Sequence, residues 1–220
     1  MTLVAVRGRA SVPVDAAGFE ALAGGRPLAV DVGTGDGRHA YHLARTRPDW
    51  FVVGLDPVAD AMRESSTRAG RKPARGGLAN VLYVVATVES VPAVLLGRAD
   101  EVHVVLPWGR LMSGLLVADP AVVGGVAGLG RPGAAVSVVL NGEVWGDPVP
   151  VEARSLPEPT VALVEDVLAP AWERLGLRVS AARWLAADEV AALPTTWARK
   201  LSHGRPHPRF LSVSASVVRR

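Results

Sequence analysis

The stretch Leu28-Ala29-Val30-Asp31-Val32-Gly33-Thr34-Gly35-Asp36-Gly37 decides how this chain is read. About five mostly apolar residues run into a Gly-rich turn, and the turn feeds a helix predicted from Arg38. A buried parallel strand, a tight loop and a helix N-terminus, in that order, hold nucleotides in doubly wound sheets. Gly is needed in such a turn, because a Cβ would block a ligand's approach to the backbone and because φ > 0 is expected there. A second apolar run, Phe51–Asp56, also ends in an acid, 23 positions after Gly33. An acid at the tip of a second strand can accept hydrogen bonds from both ribose hydroxyls.

That spacing does not choose between cofactors. A dinucleotide site wants G-x-G-x-x-G, whose third Gly lets the helix pack close to the strand. Here Arg38 stands at that third position, the run reads G-x-G-x-G, and Asp31 precedes the first Gly. The D-x-G-x-G-x-G form resembles motif I of the S-adenosylmethionine-dependent methyltransferases. In that family the loop backbone passes against the methionine end of the cofactor, and the strand-end Asp works through hydrogen bonds.

At 220 residues the chain fits one α/β domain spanning 1–220, with a short strand pair at about 1–26 and a long inserted loop at about 141–160. It has no cysteine, which excludes disulfides and thiolate metal sites. The five histidines show no paired metal-ligand spacing, so no metal is expected; His39 and His42 read as ordinary helix residues. No apolar run reaches about 18 residues and no leader-like segment opens the chain, so a cytoplasmic protein without a membrane is expected. Net charge is only +3, yet the basic groups are concentrated. Arg63, Arg68, Arg71, Lys72 and Arg75 fall together against one acid, Glu64, and Trp197–Arg220 holds six Arg or Lys and no Asp or Glu. Two basic segments in a balanced chain suggest a polyanion footprint.

In order, the pattern predicts strands at Leu3–Val6, Ser11–Val14, Leu28–Val32, Phe51–Asp56, Val81–Ala86, Glu101–Leu106, Ala134–Leu140, Arg178–Leu185 and Phe210–Val218. Helices are predicted at Ala16–Ala23, Arg38–Arg47, Pro57–Thr67, Leu111–Leu116, from Asp119-Pro120, at Val161–Leu175, and at Asp188–Leu193 with Asp188 as cap. Alternating strands and helices mean a mostly parallel sheet covered on both faces. A last strand reached by a short connection can insert antiparallel, which gives the seven-stranded, Rossmann-like class I methyltransferase sheet.

Further segments make the resemblance narrower. Asp31–Arg38 (DVGTGDGR), Gly54–Val58 (GLDPV), Lys72–Val81 (KPARGGLANV), Glu89-Ser90, Leu106–Gly109 (LPWG) and Trp197–Gly204 (WARKLSHG) are similar, in order, to the aminoglycoside-resistance methyltransferases that modify N1 of adenine 1408 in 16S rRNA (the kanamycin–apramycin type). The resemblance covers nearly the whole chain, apart from 141–160. It implies S-adenosyl-L-methionine as cofactor, with S-adenosyl-L-homocysteine as product. It implies cofactor contacts at Asp31, Gly33, Thr34, Gly35 and Arg38, at Asp56 and Pro57, and at Thr87, Val88 and Glu89. Leu106, Trp108 and Thr195 would line the same pocket.

It further implies that Trp108 and Trp197 sandwich the flipped target base. Of the other tryptophans, Trp172 and Trp184 are expected in the core and Trp50 in a structural role, and Trp145 stays open. The implied partner is 16S rRNA in the assembled 30S subunit, at the decoding-site helix, met by a monomer. A-form RNA is recognised through phosphates and shape. Arg68, Arg71, Lys72 and Arg75 would form one contact, and Arg199, Lys200, Arg205 and Arg209 the other. A tRNA guanine-N7 methyltransferase and a small-molecule methyltransferase are the competing readings. A nicotinamide-dependent oxidoreductase is disfavoured by Arg38, and a silent RNA-binding module by the intact motif I.

Overall fold

The computed structural model describes residues 2–145, 150–195, 198 and 209–218. Nine strands form one sheet: β1 (Thr2–Arg7), β2 (Ala10–Asp15), β3 (Leu28–Val32), β4 (Phe51–Asp56), β5 (Val81–Val85), β6 (Ala99–Val105), β7 (Gly130–Asn141), β8 (Leu177–Trp184) and β9 (Phe210–Val217). Their order is β2-β1-β5-β4-β3-β6-β7-β9-β8. The five from β5 to β7 are parallel, and β9 inserts antiparallel beside β7. The seven-stranded methyltransferase sheet is therefore present and carries an addition: the β1–β2 hairpin pairs antiparallel with the β5 edge. The two outermost strands are irregular. Pro13 lies within β2, and the register of β8 shifts between Val179 and Ala181.

The central strands read as continuous apolar runs because both of their faces are covered. Leu28, Val30 and Val32 of β3, with Phe51, Val53 and Leu55 of β4, join one core. Ala29 and Val52 join the other, against Tyr41, Ala44 and Met62. Helices α2 (Arg38–Thr46) and α3 (Ala59–Ala69) supply the second core. Helices α1 (Ala16–Ala23), α4 (Gly109–Leu116) and α5 (Pro120–Leu129) cover the first. Among the described residues no single helix is long and apolar enough to cross a membrane.

Three expectations shift. The helix predicted at Val161–Leu175 widens to a π-helix over Leu163–Leu168 before α6 (Ala169–Arg174). Pro170 explains it: its ring clashes with the carbonyl four residues back, and i→i−5 bonding, with Ala169 N–H donating to Val164 O, steps around the clash. Helix α7 (Ala187–Ala192) starts before Asp188, and Glu189 reaches back to accept from Ala186 N–H at 2.9 Å. Trp184 is not a core residue. It lies 37% exposed on the edge strand β8, with the Arg209 guanidinium 5.2 Å from its ring. Trp172 is fully buried and donates to Leu115 O at 3.2 Å.

Candidate active site

A cleft of about 310 Å³ opens at the C-terminal ends of β3, β4 and β6, where the strand order reverses direction. Ligands of open α/β sheets are met at this switch point. The Gly-rich turn forms its floor. Gly33, Gly35 and Gly37 have φ of 69°, 55° and 74°, which ordinary residues adopt only at a cost. A Cβ on Gly37 would stand 2.5 Å from Tyr83 Cε1, whereas one on Gly35, which lines the cleft, would meet nothing within 4 Å. Gly37 serves packing and Gly35 serves an open space.

Five of the turn's amides are already used. Gly33 and Thr34 N–H donate to Leu55 O, Gly35 N–H to Asp56 Oδ2 at 3.0 Å, Gly37 N–H to Thr34 O, and Arg38 N–H to Asp36 Oδ1. Asp56 is further fixed by Val58 N–H at 2.8 Å, and burial, partly opposed by these two bonds, raises its carboxyl above the ordinary value.

Asp31 is buried at the end of β3. Its Oδ2 accepts from the Thr34 hydroxyl at 2.5 Å, and its Oδ1 faces His39 Nδ1 at 2.9 Å. Burial alone would raise this carboxyl, but the charge and hydrogen bond of His39, with the Thr34 bond, bring it below the ordinary value. Burial would likewise lower His39, yet the Asp31 charge and bond hold it above the ordinary imidazole value. At the opposite wall Thr87 leads into a 3-10 turn over Val88–Ser90, and Arg110 Nε donates to Glu89 Oε1 at 3.3 Å. Leu106 has φ of 52°, and the chain then presents Trp108, 55% exposed, at the lip just before α4. Thr195 closes the far side, its hydroxyl accepting from Ala198 N–H at 2.9 Å.

Asp31, Gly33, Thr34, Gly35, Asp56, Pro57, Thr87, Val88, Glu89, Leu106, Trp108 and Thr195 thus share one cleft. Arg38 does not: its guanidinium faces Asp36 and Glu64 at 3.4 and 3.6 Å and lines the neighbouring groove of α2 and α3. His39, Arg110 and Leu111 line the cleft although no motif pointed to them. A polar residue on a helix face turned toward Asp31 was the available signal for His39.

Arg71, Lys72 and Arg75 border one recess, on a loop held tight by Gly77, where a Cβ would lie 1.7 Å from Arg71 O. The Arg68 guanidinium stacks 4.5 Å from the Tyr41 ring. Arg209 is paired with Glu158 at 2.5 Å. Trp197, Arg199, Lys200 and Arg205 lie outside the described residues. Trp145 is half-buried and donates to Leu156 O at 3.2 Å.

Four carboxylates, Asp31, Asp36, Asp56 and Glu89, line the cleft against His39 and Arg110. Loop amides mostly spent within the turn and an acidic lining suit a cationic ligand with a ribose better than a pyrophosphate. S-adenosylmethionine, which carries a sulfonium and an ammonium, fits this donor set.

Residues 4–216 match the family model described as NpmA: 16S rRNA (adenine(1408)-N(1))-methyltransferase. The chain is 42% identical over 190 residues to a 16S rRNA (adenine(1408)-N(1))-methyltransferase of Streptoalloteichus hindustanus, covering 86% of this chain and 87% of that one. Among solved structures it is similar to the 16S rRNA methyltransferase KamB (TM-score 0.90, 38% identity, 100% of both chains). It is also similar to a mutant 16S rRNA (adenine(1408)-N(1))-methyltransferase from Catenulisporales acidiphilia with cosubstrate SAM (TM-score 0.91, 34% identity, 99% of this chain and 97% of that one). The chain belongs to the 16S rRNA (adenine(1408)-N(1))-methyltransferase family.

Proposed function

We infer that this protein transfers a methyl group from S-adenosylmethionine to N1 of adenine 1408 in 16S rRNA, and so confers resistance to kanamycin- and apramycin-type aminoglycosides. The observation that carries the reading is the acidic, Gly-floored cleft with a half-exposed tryptophan at its lip, in a chain of this family. When bound, the cofactor supplies a sulfonium-activated methyl group. Asp56 would hold the ribose hydroxyls and Glu89 the adenine amino group, and Asp31 would face the cationic methionine end.

Extracting a base from a helix costs a few kcal/mol. Stacking on an aromatic face returns about 1–3 kcal/mol. Trp108 supplies one face and Trp197 the other, so two indoles offset most of the cost. Adenine N1 has a free lone pair and no proton to lose, and no general base is assigned. Attack leaves positive charge on the base, which desolvated indole faces attract by up to about 2 kcal/mol. The tryptophans therefore bind the transition state better than the neutral base, as catalysis requires. Positioning of N1 and the methyl carbon supplies the remainder.

The substrate is the assembled 30S subunit, met by a monomer in the cytoplasm. Arg68, Arg71, Lys72 and Arg75 dock one phosphate stretch, and Arg199, Lys200, Arg205 and Arg209 a second. Reverse-transcription mapping of 16S rRNA from expressing cells tests the reading. A stop one nucleotide before position 1408 is expected, and unmodified rRNA in drug-resistant cells would overturn it.

A further inference from the structure

Behind the cleft floor lies a chain of buried and half-buried polar side chains that methyl transfer does not use. His39, on the first turn of α2, is buried with its Nδ1 2.9 Å from Asp31 Oδ1. Its ring meets that of His103 edge-on, with centroids 5.4 Å apart. His103 stands beside Asp31 on the neighbouring strand, and its Nε2 is 3.1 Å from Glu101 Oε2. Glu101 in turn accepts from Arg47 at 2.5 Å. No buried side-chain donor or acceptor is left unpaired among the described residues. This is a satisfied network, so each member constrains the next.

We propose that His39 is a positioning residue for the methyl-donor site: it aims and charges Asp31, and it yields a proton when the cationic cosubstrate takes a share of that carboxylate. The proposal rests on reading the cleft as the S-adenosylmethionine site.

The geometry forces the coupling. Asp31 has two oxygens, one bonded by Thr34 and one by His39, so its orientation is fixed from both sides. Any cation drawn to Asp31 from the cleft shares a carboxylate whose back is already in contact with the His39 ring, which the Asp31 charge favours in its protonated form. The two cations weaken each other's hold, so ligand binding favours the neutral ring. By reciprocity, removing the proton from His39 tightens binding of the cation.

Other charges around the ring are fixed or oppose each other. On β6, His103 is kept neutral by burial and by the charge of His39, and Glu101 behind it is tied to Arg47. On β4, Asp56 is held by two backbone amides. Along α2, His42 is lowered by burial and by Arg45, and so carries little charge at neutral pH. His39 is left as the titratable imidazole in direct contact with Asp31.

The test compares the wild-type protein with His39→Asn and His39→Leu by titration calorimetry with S-adenosylmethionine, at pH 7, in buffers of different ionisation enthalpy. Asn can present an amide N–H where Nδ1 stood but has no proton to lose. Wild type should release a measurable fraction of a proton on binding, and His39→Asn should bind within about threefold while that release disappears. His39→Leu, which leaves Asp31 one donor short, should bind at least tenfold more weakly. If that variant does not fold, the Asn comparison still decides.

Proton release from His39→Asn equal to that of wild type would overturn the proposal, and so would unchanged affinity in a folded His39→Leu. Titration of the cosubstrate's own ammonium is common to all variants and cancels in the difference. Gly35→Ala separates the two levels. If it loses binding while the His39 variants behave as wild type, only the role of His39 falls. If it too binds normally, the assignment of the cleft falls.

Discussion

Two glycines of one turn should fail in opposite ways when given a methyl group. Gly35 and Gly37 both sit in the left-handed region, so alanine at either adds roughly 1–2 kcal/mol of backbone strain. At Gly37 the new Cβ also meets Tyr83 Cε1 at 2.5 Å and Ser65 Cβ at 3.0 Å, both buried. Tyr83 cannot withdraw cheaply, because its hydroxyl donates to Gly37 O at 3.1 Å. Overpacking of this kind adds about 1–3 kcal/mol, for a total near 2–5. In a domain of this length that corresponds to a loss of roughly 4–20 °C in Tm.

At Gly35 nothing lies within 4 Å, so only the strain remains and Tm should fall by roughly 2–8 °C. The methyl carbon would instead stand in the cleft, and cosubstrate affinity should drop about tenfold or more, equivalent to at least about 1.4 kcal/mol. Differential scanning fluorimetry and calorimetry with S-adenosylmethionine read the two quantities separately. Full affinity in a folded Gly35→Ala protein would refute the cleft as cosubstrate site. Equal losses of Tm in both variants would refute the division of labour between the two glycines.

Trp108→Ala should keep cosubstrate binding and lower methylation of 30S subunits roughly 5- to 150-fold, the worth of one base-stacking face, with Trp108→Phe in between; wild-type turnover would remove Trp108 from the base site. Arg71→Glu with Lys72→Glu should weaken subunit binding and flatten its dependence on salt, leaving cosubstrate affinity alone, since fewer counterions are released; an unchanged salt slope would return both to plain surface. Trp172→Ala should cost about 3–5 kcal/mol in urea unfolding, because it empties a fully buried site and removes the indole N–H bond to Leu115 O. The Asp31–His39 pair should also give stability a pH window. Its Asp31 part is complete above the ordinary value of 3.8 and is lost as pH falls through the depressed folded value; its His39 part is complete below 6.5 and is lost as pH rises through the raised one. Wild type should therefore lose stability relative to His39→Asn as pH rises above 6.5, and parallel curves would contradict this.

The sheet was legible because its central strands are buried on both faces and so read as apolar runs. The turn after β3 was legible because only Gly tolerates its backbone. Helix α2 shows where reading stopped. Periodicity identifies an amphipathic face but not which polar residue of that face meets a strand end, so His39 looked ordinary and Arg38 looked like part of the turn. Trp184 misled for a related reason: β8 is an edge strand, and apolar neighbours in sequence alternate between covered and open faces. The β1–β2 hairpin was read as strands, but its attachment to β5 rests on only two register pairs, Ala5↔Val84 and Val6↔Tyr83, which no local pattern announces.

The irregular outer strands have a consequence for how the molecule behaves at high concentration. Nine strands in one open sheet leave two raw margins, each a template for a further strand from another copy. On one margin Pro13 removes an amide donor from β2. On the other, the register shift near Ser180 bends β8, and Arg178 and Arg183 stand on it in salt bridges with Glu173 and Glu189. Neither margin offers a long, flat, uncharged row of peptide groups, so end-to-end fibre growth by strand addition is blocked at both sides.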